Sequence, residues 1–212
     1  MGPAIELGQR GVTTTVVERF PQPQHIPKGQ NLTQRTAEQF HFWGCEAELR
    51  AAHPLPEDAG IGGMTTYRTL LSYHHYDWLN RAHVQDFYFR ANARLPQYDT
   101  EAVLRSRTAA IPSITLLYGW SGVAIDCDWS GAPVKIERAH DGALRQLSGR
   151  FVVGCEGSRS IVRSATGNTE ILPDHNRLMA LLVFRSRNLH ELLKRYPGKA
   201  FHNVLHPDFE CY

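Results

Sequence analysis

Apolar positions change their spacing twice within the first twenty residues. Ala4 to Arg10 carries Ile5 and Leu7 in a helical setting, and Gly11 suits the left-handed residue that ends a helix. Val12 to Val17 is then a β-branched run that predicts a buried strand, with Glu18 at its carboxyl end. Gln34 to Trp43 returns to helical spacing, with Phe40 and Trp43 three apart and Thr33 or Thr36 available as an N-cap. Three prolines fall in the loop Pro21 to Gln30, which also holds Lys28 and Gly29, and Ala51 to Gly63 reads as a connection.

Further along, Met64 to Arg94 is dense in aromatics, and the alternation at Phe87 to Phe89 predicts a strand. Gln97 leads into a predicted helix over Asp99 to Ala109. Val123 to Ile125 and Val134 to Ile136 predict strands on either side of a Ser130-Gly131 turn. Phe151 to Gly154 is a short apolar run, expected as a buried strand, that feeds into Cys155-Glu156-Gly157-Ser158. Leu178 to Arg185 and Ala200 to Leu205 are the last strand candidates.

Composition narrows the class. The 212 residues hold 23 Lys+Arg against 21 Asp+Glu, a net charge of +2, with 42% hydrophobic positions. That is a globular composition, without the field that would demand nucleic acid or an acidic membrane as partner. No apolar run approaches the roughly 18 residues of a membrane span. Cys45, Cys127, Cys155 and Cys211 stand far apart, a pattern of free thiols in a reducing cytoplasm rather than a zinc site or disulfide framework. His74, His75 and His83 fit no metal-ligand spacing, so no metal is expected.

A helix, a glycine stop, a strand and a terminal acid make up the second half of a βαβ nucleotide-binding unit. A carboxylate at that strand end accepts hydrogen bonds from a ribose diol, which makes Glu18 the first candidate; the bland alternative is a solvated strand end. The strand and glycine-rich turn that open such a unit are not visible ahead of Gly2-Pro3, so the chain is expected to be a piece of a longer protein, cut at both ends.

Taken in order, AIELGQRGVTTTVVERF, KGQNLTQRTAEQFHFWG, LPQYDTEAVLR and FVVGCEGSRSIVRSATG resemble the class A flavoprotein monooxygenases, the family of para-hydroxybenzoate and phenol hydroxylases. VLHPDFECY is similar to a strand and turn of the family's substrate lobe. The resemblance implies an α/β fold: an incomplete Rossmann-like (GR2-type) FAD-binding domain over 1–63 and 95–170, and part of a β-sheet substrate-binding lobe over 64–94 and 171–212. It implies FAD as cofactor, NAD(P)H as co-substrate, O2 and an aromatic small molecule as substrates, and an assembly as a homodimer.

By the same resemblance, Glu18 would meet the adenosine ribose and Lys28 would face the pyrophosphate or ribose, where the family often has Arg. An ammonium offsets phosphate charge but lacks the guanidinium fork. Arg35 opens the family's RT helix and would steady the flavin side of its loop, while Gln97 would offer its amide to the flavin or diphosphate edge. Glu156 stands where the family has Asp, one methylene longer, and Gly157 would let the backbone approach the cofactor. For each of these a plain structural role is the competing expectation: a surface arginine, a loop glutamine, a strand-to-helix turn capped by serines. No catalytic acid–base pair is expected, because in this family the flavin carries the chemistry. The alternative is an inactive FAD-binding-domain fragment that retains no flavin, since the glycine-rich turn and a second flavin motif are not in these residues.

Overall fold

The computed structural model describes residues 1–26, 28–54, 62–78, 85–126, 131–171, 180 and 182–208. They fold as mixed α/β structure in two compact units, one built from 1–24 and 108–181, the other from 25–107 and 182–212.

In the first unit, α1 (Gly2–Gln9) runs into β1 (Thr14–Glu18) through Gly11, whose φ of 76° is left-handed. Gly11 N–H donates to Gly8 O at 3.0 Å and Val12 N–H to Leu7 O at 3.0 Å, the paired closure that satisfies a helix's last carbonyls. Strand β1 pairs in parallel with β6 (Ile114–Tyr118), so that Glu18 lies opposite Tyr118 at the carboxyl ends of both. A three-stranded antiparallel sheet follows, formed by β7 (Trp120–Ile125), β8 (Val134–Arg138) and β9 (Leu144–Leu147) in that order. Short α5 (Ile161–Ala165) rests on β7, with Ile161 against Gly122.

Two features of the second unit matter for function. A short antiparallel ladder joins β2 (Asn31–Leu32) to β5 (Ala93–Arg94), with α2 (Gln34–Phe42) leaving one end and α4 (Gln97–Ala109) the other. Thr33 caps α2, its Oγ1 accepting from Thr36 N–H at 3.3 Å. Phe40, Cys45, Leu49, Leu95 and Val103 form the core beneath, which includes a residue of α3 (Glu46–Ala51). Burial pushes the Cys45 thiol up to about 11; nearby Arg107 opposes that shift and Glu48 adds to it. The other feature is a sheet of β10 (Lys199–Leu205), β3 (Gly62–Tyr67) and β4 (His75–Trp78), with β3 in the middle, parallel to β10 and antiparallel to β4. It joins two stretches of sequence more than a hundred residues apart. Helix α6 (Arg187–Leu193) precedes β10.

Three strand expectations fail. Phe87 to Phe89 is not extended: Gln85–Phe87 is a single 3-10 turn, and a side chain takes the Phe89 N–H that a ladder could use. Phe89 N–H donates to Glu38 at 3.2 Å, and Arg90 binds the Glu46 carboxylate at 2.8 Å. Phe151 to Gly154 is irregular and open to solvent, with Phe151 83% exposed, because an apolar run becomes a strand only beside another with free N–H and C=O groups. Among the described residues, β1 pairs on its β6 side alone. Of Leu178 to Arg185, positions 178, 179 and 181 lie outside the described residues; Leu182 to Arg185 is irregular and exposed. Ser130 also lies outside them, as do His83, Cys127 and Cys211, while Cys45 and Cys155 are free thiols.

Helix α1 lies so close to the β6 region that a Cβ on Gly8 would stand 2.7 Å from Ile114 and 2.9 Å from Ile111. Ser113 Oγ donates to Gly8 O at 3.0 Å across the same contact. Gly8→Ala would gain about 1 kcal/mol in helix propensity but lose about 1–3 kcal/mol to overpacking. The expected outcome is a net loss of stability in urea unfolding; a variant more stable than the parent would show that α1 is free to move off the sheet.

Candidate functional site

In the first unit Glu18 ends β1 and is half-buried. Its Oε1 accepts from Phe20 N–H at 2.8 Å, which turns the chain sharply away after the strand and fixes the carboxylate at the strand's carboxyl end. That is the edge of a parallel pair where α/β sheets bind ligands.

Glu156 and Gly157 occupy a tight turn ahead of α5. Gly157 has φ of 81°, a backbone that residues with a Cβ adopt only under strain. The Glu156 carboxylate points along the chain: Oε1 accepts from Val162 N–H at 3.0 Å. Partial burial pushes its pKa up, but the hydrogen bonds from Val162, Ser160 and Ile161 outweigh that and hold it below the ordinary carboxylate value. Ser160 caps α5 by accepting from Arg163 N–H at 3.1 Å, and Arg163 reaches back to Ser158 O. The extra methylene of Glu therefore has a structural use, since it lets residue 156 reach the free N–H groups of a helix that starts five residues later.

The second unit brings two candidates together. In the antiparallel β2–β5 ladder, the residues ahead of β2 and those after β5 share one end, and Leu95 N–H donates to Gln30 O at 3.0 Å there. The Lys28–Gly29 loop and the start of α4 are thus neighbours. A Cβ on Gly29 would stand 3.7 Å from Gln97 Oε1, and the His25 ring lies 5.2 Å from that of Tyr98. Lys28 and Gln97 are both exposed. Arg35 leaves the opposite end of the ladder on α2, 74% exposed, and pairs with Glu38 at 3.1 Å. The ladder therefore sets Gly29, next to Lys28 in the chain, beside Gln97, and Arg35 leaves from its other end.

Sequence reasoning missed a buried cation between these elements. Arg94 lies opposite Asn31 in the ladder, is 8% exposed and sets its guanidinium 5.3 Å from the Phe201 ring centroid. Its signal was a charged residue at the end of the aromatic-dense stretch, immediately before Leu95.

The profile of the FAD binding domain family matches residues 1–203, nearly the whole chain. The chain belongs to this family. Its curated relatives include proteins named as monooxygenases and hydroxylases. A rifampicin monooxygenase of Streptomyces venezuelae is 29% identical over 165 residues, which cover 77% of this chain and 31% of that protein. A putative polyketide hydroxylase of Streptomyces coelicolor is 25% identical over 196 residues, covering 90% of this chain and 30% of that one. Among solved structures, the flavin-dependent monooxygenase PieE, in complex with FAD and substrate, superposes with a TM-score of 0.68 at 21% identity over 78% of this chain and 30% of its own. The rebeccamycin biosynthetic enzyme RebC with reduced flavin gives 0.65 at 23%, over 78% and 32%. These structural likenesses bear on the fold, which is that of FAD-dependent monooxygenases. The chain spans about a third of the length of these relatives.

The FAD-binding family member should show the cost of protonating Glu156. Because its folded pKa is depressed, its stabilisation is complete above the ordinary carboxylate range of about 4 to 4.5 and is lost as pH falls through the folded value. Glu156→Gln should thus be less stable than the parent near neutral pH, and the gap should close on acidification toward about pH 3. Urea midpoints at a series of pH values measure this. A gap that stays constant across the series would mean that the carboxylate's charge plays no part in the turn.

Proposed function

We propose that this chain carries the FAD-contacting part of an aromatic monooxygenase. The net reaction is ArH + O2 + NAD(P)H + H+ → ArOH + H2O + NAD(P)+, on a phenolic or other electron-rich ring. The observation that supports it best is Glu18, fixed at the carboxyl end of a strand with a parallel partner and entered through a helix and a left-handed glycine. The names of the relatives lend support, since one is named for oxygenation of rifampicin and the other as a putative hydroxylase of polyketides.

Each unit carries groups of the kinds FAD needs, Glu18 and the Glu156-Gly157 turn in one, Lys28, Arg35 and Gln97 in the other. Glu18 has the acceptor a ribose diol needs, and Lys28 would offer a cation to a diphosphate. Gln97, set beside Gly29, offers an amide donor and acceptor to the flavin or diphosphate edge. Arg35, paired with Glu38 on its own helix, would steady the flavin side of its loop. The Glu156-Gly157 turn presents backbone where the left-handed Gly157 leaves no side chain in the way. Bound FAD would supply the redox chemistry of oxygen insertion, and the protein's share is to bind, orient and exclude water.

In this reading 1–63 and 95–170 form the FAD-binding domain, and 64–94 and 171–212 belong to a substrate-binding lobe. The pairing of β3 with β10 supports the lobe, because it draws together the two segments assigned to it. The wider expectations are a homodimer working in the cytoplasm with NAD(P)H. Among the described residues no helix is long and apolar enough to cross a membrane.

Titration of FAD with the purified chain, read by flavin fluorescence quenching, tests the proposal. Stoichiometric quenching is expected. Removal of a charged acceptor in Glu18→Ala should weaken binding roughly tenfold or more, the worth of a charge-assisted hydrogen bond. A chain that quenches no flavin would favour the inactive, flavin-free alternative instead.

A further inference from the structure

Two carboxylates, one on α2 and one on α3, hold the segment 85–90 that precedes β5. Glu38 of α2 accepts the Phe89 N–H at 3.2 Å and also pairs with Arg35. Glu46, the first residue of α3, is the hub of a larger cluster. Arg50 Nη2 donates to its Oε1 at 2.8 Å, and Arg90 Nε donates to its Oε2 at 2.8 Å. Burial pushes the Glu46 pKa up, but the hydrogen bonds from Arg50, Arg90 and His41 outweigh that and hold it below the ordinary carboxylate value.

The imidazole of His41, in the last turn of α2, stands between the hub and the segment. Its Nδ1 lies 3.0 Å from Glu46 Oε2 and 3.1 Å from Arg90 Nη2. The Phe89 ring meets the imidazole edge-on with centroids 5.2 Å apart, and the Arg90 guanidinium lies 4.1 Å from the centroid of that same ring. Phe42 also meets the imidazole edge-on, at 5.7 Å.

The two contacts of Nδ1 make opposite demands on one atom. An ionised carboxylate only accepts, and a guanidinium only donates. With its lone pair free, Nδ1 accepts from Arg90; carrying a proton, it donates to Glu46 and sets a positive charge beside the guanidinium. It cannot serve both partners at once. Charge points the same way, since Arg50 and Arg90 already share the Glu46 carboxylate and a protonated His41 would be a third cation on it. Among the described residues, the charged groups around the imidazole are Glu46 and Arg50 of α3, Arg90 of the segment and, one turn back on its own helix, Glu38.

We propose that His41 is a proton-operated fastening for the segment 85–90: its neutral imidazole accepts from Arg90 at Nδ1 and holds the segment on α2 and α3, and protonation turns that atom to Glu46 and loosens Arg90. Carboxylates ordinarily lose their charge only below about pH 5, whereas an imidazole changes charge between about pH 5 and 8. The segment is therefore held more firmly at neutral pH than in mild acid. Release of Phe89 leaves Glu38 to Arg35 alone, so the fastening reaches a residue proposed to steady the flavin loop. It stands whether or not the monooxygenase reading holds.

Nitrogen-15 spectra of the unaltered chain between about pH 8 and 5 read the exchange directly. The His41 ring nitrogens, assigned through bonds to the backbone, should show Nδ1 bare and Nε2 protonated at the alkaline end, and both protonated at the acid end. Over the same interval the protection of the Phe89 amide against hydrogen exchange, corrected for the intrinsic effect of pH, should fall roughly twofold to fivefold, the scale of an exposed ion pair. His41→Gln should keep that protection level with pH. A neutral imidazole that carries its proton on Nδ1 would overturn the proposal, because Arg90 would then have no acceptor there. So would Phe89 protection that ignores pH, or that falls equally in His41→Gln. Because the ring protons and the Phe89 amide are read on the unaltered chain, the test decides even if the variant folds poorly.

Discussion

Backbone N–H and C=O groups that leave water must be paired, and a strand can do this only through a neighbour. Thr14 to Glu18 meets that demand through Ile114 to Tyr118, almost a hundred residues later, and the pairing gives Glu18 its fixed place at a strand end. The same demand explains the run that does not become a strand. Phe151 to Gly154 has the composition of one but pairs with no strand among the described residues, and the chain closes instead on the Glu156 turn through side-chain hydrogen bonds. Everything inferred about Glu18 depends on this parallel pair holding.

In the second unit, two residues of ladder carry a disproportionate share of the organisation. Asn31 and Leu32 against Arg94 and Ala93 are a minimal pairing, yet they decide which loops are neighbours. Lys28 and Gln97 are 69 positions apart in sequence and come to one end of it, whereas Arg35, only seven residues from Lys28, is sent to the other. The core of Phe40, Cys45, Leu49, Leu95 and Val103 stabilises this arrangement from beneath.

Much of the local structure was legible in advance. The α1–Gly11–β1 passage, the Thr33 cap, the helix from Gln97 and the hairpin of β7 and β8 follow from spacing, caps and turn residues, which act over a few positions. The errors share a cause. Phe87 to Phe89 alternates like a strand, but Glu38, some fifty residues earlier, accepts the Phe89 N–H, and Glu46 holds the neighbouring Arg90 side chain. Nothing within a short window could reveal that competition.

For the candidate site the division is similar. Order along the chain was enough to name Glu18, Lys28, Arg35, Gln97, Glu156 and Gly157 and to suggest the family, because residue type and local motif survive without coordinates. The sequence could not show that Gly29 lies beside Gln97, that Glu156 turns back onto Val162, or that Trp78 and Phe201 flank Gly63 on one face. Helices and turns are dictated by neighbours a few residues away, so their determinants can be read along the chain. Strand partners and sheet faces are settled by groups that meet only after the chain has folded.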